Sequence, residues 1–387
     1  MRVYFDSAAT TQLAPEVITE MTKVMAEDYG NPSSIHADGR KVRSIVEEAR
    51  KTCATAIGAS IGEIFFTSGG TESNNMALKC AVRDLGVKRI ITSTVEHHCV
   101  MHTVDRLEKE GVEVLRLEVN HIGQIDYDAL ESLLENSSTK TMVSLMHANN
   151  EIGTLLDIER VGLLCKAHGA LFHSDTVQTV GHFPIDVSEI HIHFLSCGAH
   201  KFHGPKGVGF LYMNANAIVE PFIDGGAQER NMRAGTENVY GIVGQAVALR
   251  MAVDEMEERI NHIKGIKQYM QDQLADTFED IRFNCPGMDK GLYTVLNTNF
   301  PASAKNEMLL MHLDILGISA SGGSACSSGA DAGSHVIQAI KSDQDGRKSI
   351  RFSFSHYNTK EEVDYVVGKL KEILPELVKK NETVLEA

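Results

Sequence analysis

Four side-chain types in this chain stand where their surroundings would give them chemistry. Lys201 lies in SCGAHKFHGPKGVGFLY (196–212), between a strand-like run and a Gly/Pro turn that enters another strand. At the end of a parallel strand it would face the ligand crevice, where desolvation lowers an amine's pKa toward a nucleophile able to form a Schiff base. A lone lysine in a turn is more often only a surface charge. Asp175 ends the run ALFHSD, where a carboxylate can hold a pyridinium nitrogen protonated or cap a helix. In TVEHHCV, His97 and His98 follow a strand; an imidazole there can cover an aromatic ring or move protons, while one of the pair can equally be no more than a helix start. EIFFTSGGTESNN runs from a strand through Gly69, Gly70 and Thr71 into a helix. Free backbone N–H groups and a positive helix end at such a turn suit a phosphate, although the spacing is not that of a P-loop.

The fourth type is cysteine. Cys326 sits in SASGGSACSSGADAGS (319–334), a stretch too poor in large apolar groups to repay the ordering of its backbone, which reads as a mobile loop. A Gly/Ser linker with an incidental thiol is the commoner reading of such a tract. The other six cysteines are scattered and no CxxC pair occurs, so neither a disulfide framework nor a zinc site is expected. Most sit in apolar contexts, as Cys165 does in VGLLCKAH, and are expected to pack as small hydrophobes.

The elements that would position these groups follow from periodicity. From 63 to 213 the apolar runs EIFFT, RIITST, VEVLRLEV, TMVSLMH, ALFHSD and GVGFLYM alternate with helix-like segments. Strands apolar on both faces between helices predict an α/β domain built on a mainly parallel sheet wrapped by helices, with ligands outside the carboxyl ends of the strands. After about 245 come a long helical stretch, YTVLNTNF, the cysteine loop, IRFSFS and a last amphipathic helix with Val363, Val366, Val367, Leu370, Ile373 and Leu374 on one face. The expected division is a large cofactor-binding domain over 15–245 and a smaller α/β domain from 1–14 and 246–387.

A net charge of −15 and the lack of a basic stripe argue against nucleic acid or an anionic membrane as primary partner. No apolar run approaches the roughly 20 residues needed to cross a bilayer, and the start MRVYFDSAATTQ lacks a signal-peptide layout. A cytoplasmic protein is expected.

Taken together, the motifs YFDSAATT, YGNPSSIH, FFTSGGTESNN, EHHCV, ANNEIGT, HSDTVQ, AHKFHGPKGVG, GGAQERNMRAGTEN, GSACSSG and IRFSFS cover nearly the whole chain. In them it resembles the cysteine desulfurases of the NifS/IscS type, class V aminotransferase-like enzymes of the fold type I that depends on pyridoxal 5'-phosphate (PLP). The resemblance implies that Lys201 carries PLP, Asp175 pairs with its ring nitrogen, Gln178 bonds its phenolic oxygen, and His97 and Val177 cover its two faces. It further implies phosphate contacts from Gly70, Thr71 and His200, with Thr236 reaching in from the second subunit of a homodimer. Asn150 would lie close to cofactor and substrate, and Arg351 would clamp the substrate carboxylate. Cys326 matches the family's nucleophile, with His97 as candidate acid/base for the thiol protons.

The implied activity converts L-cysteine to L-alanine and loads the sulfur on Cys326 as a persulfide, for a sulfur-acceptor protein such as an iron–sulfur scaffold. About eight extended residues on each side of Cys326 span roughly 26 Å, enough to carry a thiol between a buried cofactor and the surface. In two places the chain departs from the family: Gly198 stands where a serine is usual, and Ala227 where GGGQER has glycine. An altered cofactor affinity or rate is expected from them. Two other readings remain open at this point: a PLP-dependent aminotransferase or lyase without sulfur transfer, and a non-catalytic scaffold with a degenerate cofactor fold.

Overall fold

The computed structural model describes residues 1–135, 139–217, 219–287, 290–322 and 333–380. Its strands are β1 (Val3–Tyr4), β2 (Ile64–Thr67), β3 (Arg89–Ser93), β4 (Glu113–Leu117), β5 (Thr141–Ser144), β6 (Leu171–Asp175), β7 (Phe194–Gly198), β8 (Gly209–Met213), β9 (Arg282–Phe283), β10 (Val295–Phe300), β11 (Ile318–Ser319) and β12 (Lys348–Ser353). Seven form one sheet in the order β2-β8-β7-β6-β5-β3-β4. The pairs β3–β4, β3–β5, β5–β6 and β6–β7 are parallel, and β8 runs antiparallel to both of its neighbours. The doubly apolar runs behave as expected: β2, β5, β7 and β8 are buried along their whole length, because helices cover both faces.

One core packs the helices Ala37–Ala56 and Val239–Asp254 against the sheet through Val42, Val46, Phe66, Phe172, Phe210 and Leu249. A core on the other face gathers Met76, Leu78, Ile90, Val104 and Leu211. A separate core joins Val3 and Phe5 to Ile263, Met270, Leu296, Ile350, Phe352 and the last helix, Lys360–Ile373. All six residues of that helix's apolar face are buried, and its start is a capping box of Thr359 and Glu362. The antiparallel strands β12-β10-β9 carry this core. The amino terminus is stitched to it by β1 pairing with β11 and by the Ser7 N–H donating to Ser353 O. The chain then crosses to the larger sheet, where the Thr11 N–H donates to His200 O.

Candidate active site

A cavity of about 210 Å³ opens where β2, β3 and β6 end and where β7 passes into the turn holding Lys201. Gly70, Thr71, His97, Asn150, Asp175, Val177, Gln178, His200, Lys201 and Arg351 all line it. Every described residue to which the resemblance gave a role, apart from Thr236, is therefore brought to one place. Thr236 is exposed and borders a different groove with Ser68, Glu229 and Arg233. Cys326 lies outside the described residues.

Each group is held by a local device. The β2 turn reverses through Gly69 at φ 142°, a backbone state open to glycine, and starts the helix Gly70–Asp84. Gly70 must lack a side chain, since a Cβ there would lie 2.5 Å from Val177 Cγ2. The result is a helix N-terminus open to the cavity beside Thr71 and His200. Burial pushes His200 down to about 4, so it is neutral at physiological pH, and Lys201 beside it works in the same direction. Lys201 Nζ donates to Ala8 O and, at 2.9 Å, to Ala9 O. The amino-terminal motif thus aims the lysine; Gln178 Nε2 donates to the same Ala8 carbonyl at 3.0 Å.

Asp175, at the end of β6, accepts from the Val177 N–H (3.0 Å) and from Asn74 Nδ2 (2.6 Å). His97 caps the helix His98–Lys109, its Nδ1 accepting from the Cys99 N–H at 3.2 Å. Desolvation lowers the His97 pKa, and Lys201, His98 and His335 lower it too, while Asp175 opposes them. Only one of the histidine pair faces the cavity: His98 borders an outer groove with His102 and Lys79 as well as His97. Arg351, 1% exposed, donates to Asp6 Oδ1 (2.6 Å) and Asn150 O (2.9 Å), and its buried Nε has no partner. A buried donor left open beside a cavity is suited to an incoming carboxylate.

The loop bearing Cys326 is rooted beside this arginine. Ser321 and Arg351 exchange backbone hydrogen bonds, and the Ser321 hydroxyl donates to Asp6 Oδ1 at 2.9 Å. On the far side Ser334 caps the helix His335–Ala339 and bonds the buried Glu151, and the His335 ring lies 4.7 Å from that of His98. Cys326 is the fifth residue after Ser321, a reach of roughly 17 Å at most. That is shorter than the loop length alone implied, because Ser321 is already fastened.

Besides Ala8, Ala9 and Met146, two cavity residues with polar or ionisable side chains, Asn74 and Cys99, were missed in the sequence. Cys99, expected to pack as a small hydrophobe, puts its thiol into the cavity with His97 and Asn74. Asn74 is fully buried yet lines the cavity too. The available signal was spacing: Asn74 and Cys99 each fall in the first turns of a helix that opens at the site, four residues after Gly70 and two after His97. The departures from the family pattern carry no strain. Ala227 has a negative φ (−79°), which any residue can adopt, and Gly198 has room for a Cβ, which would meet nothing closer than 3.5 Å.

The donor set fits PLP: a lysine amine, a carboxylate across the cavity, and a glycine-built helix end whose cradle a single Cβ would fill. The aminotransferase class-V family matches residues 3–366, and the chain belongs to it. Within that family it is similar to the cysteine desulfurase IscS of Dictyoglomus turgidum, 44% identical over 97% of this chain and 95% of the relative. It is also similar to the cysteine desulfurase IscS of Methanosarcina thermophila, 41% identical over 98% and 92%. A solved NifS-like protein superposes with a TM-score of 0.90 at 37% identity, over 97% of this chain and all of the other. A solved structure titled SspA in complex with cysteine gives 0.79 at 31%, over 93% and 100%.

Proposed function

We infer that the protein is a PLP-dependent cysteine desulfurase, which converts L-cysteine to L-alanine and takes the sulfur onto Cys326. The observation that carries this reading is the pairing of Ser321 with Arg351, which fastens the loop of the nucleophile to the residue that would hold the substrate carboxylate.

When bound, PLP supplies an electron sink conjugated to the substrate's Cα. Lys201 would hold it and, once released, move the proton at Cα. Asp175 would face its ring nitrogen, Gln178 its phenolic oxygen, and His97 and Val177 its faces. Gly70, Thr71 and His200 would take the phosphate. Arg351 and Asn150 would orient the substrate. The Cys326 thiolate attacks the substrate sulfur: an S–S bond forms, the Cβ–S bond breaks with its electron pair left on the substrate carbon, and that carbon takes up a proton to leave as alanine. His97 would supply or move the thiol protons.

The working form is a homodimer in which Thr236 of each subunit serves the partner's phosphate site; its exposure, away from its own cavity, supports this. The core that unites residues 3–5 with 263–374 supports a small domain distinct from the sheet domain. Among the described residues no helix is long and apolar enough to cross a membrane; the reading is of a cytoplasmic enzyme handing its persulfide sulfur to an acceptor protein such as an iron–sulfur scaffold. The test is Cys326→Ala, which leaves lysine, acid and phosphate turn intact. It should bind PLP and respond spectrally to L-cysteine but release no alanine at a useful rate; alanine at the wild-type rate would reject sulfur transfer to this thiol.

A further inference from the structure

The cavity is lined by a thiol, that of Cys99, which the reaction above does not use. Cys99 Sγ lies 3.0 Å from His97 Nδ1 and 3.1 Å from Asn74 Nδ2. The direction of every bond in this cluster follows from one fact: a carboxylate only accepts. Asn74 must therefore turn its Nδ2 toward Asp175 Oδ2, at 2.6 Å. Its Oδ1 is then the acceptor for His173 Nε2–H at 3.0 Å, which leaves His173 Nδ1 to accept from the Ser144 hydroxyl at 2.9 Å. His173 is fully buried, and burial pushes it down to about 3, so it keeps a single ring proton.

On the other side, Asn74 donates its second amide proton to Cys99 Sγ. That sulfur therefore accepts from Asn74 and retains its own proton to donate. His97 Nδ1 already accepts from the Cys99 N–H and so is unprotonated; it is the group that can take the S–H. Burial, together with Asp175, pushes the thiol up to about 12, which keeps that proton in place.

We propose that Cys99 is a positioning residue: its thiol, oriented by Asn74, adds a second donor at Nδ1 of His97 beside the Cys99 N–H, so that the ring stays neutral and presents Nε2–H to the cavity. The proposal rests on the reading that His97 works in this site. It makes resting His97 a hydrogen-bond donor through Nε2 toward the substrate, and it keeps Cys99 from competing with Cys326 for sulfur. The Cys99 thiol proton is committed to the imidazole. The charged and titratable groups facing His97 are Asp175 on β6, Lys201 after β7, His98 on its own helix and His335 beyond the cysteine loop.

The test uses protein labelled with 15N in the histidine rings, with and without PLP, and the variants Cys99→Ala, Cys99→Ser and His97→Ala, the last to assign the signal. Wild type should show His97 as the Nε2–H form in both states. Cys99→Ala should keep the Nε2–H tautomer, which the Cys99 backbone N–H still holds, but shift the His97 ring signals and raise the pH at which the ring protonates by ~0.5 unit, about threefold in proton affinity, moving the acid limb of kcat/KM upward with it. Cys99→Ser, which keeps a donor, should restore the wild-type ring signals. An Nδ1–H ring in wild type, or Cys99→Ala with unchanged ring signals and pH profile, overturns the proposal even if His97→Ala is inactive. If His97→Ala turned over L-cysteine at the wild-type rate, the role of His97 would fail and the proposal with it.

Discussion

Gly198→Ser restores the side chain usual in the family, and its effect can be worked from the local geometry. A Cβ at 198 would lie 3.5 Å from Gly70 N, 3.5 Å from Val177 Cγ1 and 3.6 Å from His200 Cδ2, all ordinary van der Waals contacts. The backbone, at φ −136° and ψ 117°, is extended and open to serine. Nothing must shift, and loss of glycine's freedom in the unfolded chain adds about 0.4–1 kcal/mol of stability. The new hydroxyl would sit against the helix N-terminus proposed to hold the phosphate. One hydrogen bond to a charged group contributes about 1.5–3 kcal/mol, and part of it replaces a bond to water. A gain of about tenfold in PLP affinity is therefore expected. Titration of the apo-protein with PLP, followed by absorbance, measures it. Unchanged or weaker binding by a variant that folds normally would show that the phosphate does not sit beside Gly70.

Other expected outcomes follow from the same structure. Lys201→Ala should abolish the absorbance of the lysine–PLP adduct and all turnover; near-normal turnover would reject the lysine. Asp6→Asn should leave the buried Arg351 without its charge partner and loosen Ser321, costing about 2–4 kcal/mol of stability in denaturant melts and raising KM for L-cysteine; a variant as stable as wild type with unchanged KM would contradict both roles of Asp6. Stability should fall as pH drops. His147, His173 and His182 are completely enclosed, and burial pushes them down to about 4, 3 and 4. Below the ordinary histidine pKa near 6.5 the unfolded chain binds protons that the folded chain refuses, so each contributes a loss on the order of 1 kcal/mol per pH unit between about 6.5 and 4. Urea midpoints that stay level across that window would refute it.

The sheet was legible because its strands are apolar on both faces and short, so runs such as IFFT and TMVS could be little else. The antiparallel entry of β8 was not, since a run buried on both faces carries no mark of its direction. Lys201, Asp175 and the Gly70 turn were legible because each ends a strand, where topology alone brings it to the crevice. Asn74 and Cys99 were hidden for the opposite reason: they look like interior helix residues, and only the bonds from Asn74 to Asp175, over 101 residues, and to Cys99, over 25, give them a role. The hold of Asp6 on Arg351 and Ser321 joins segments more than 300 residues apart and has no local signature.

The central claim is that sulfur leaves L-cysteine for Cys326. Wild-type protein loaded with PLP, given L-cysteine without any acceptor and digested under non-reducing conditions, should release alanine and carry one extra sulfur atom on the peptide that includes SGGSACSSGADAGS, the first turnover giving the two in equal amounts, with none on the peptide that includes Cys99. Alanine formed without a persulfide at Cys326, or a persulfide found on another cysteine, would contradict the account.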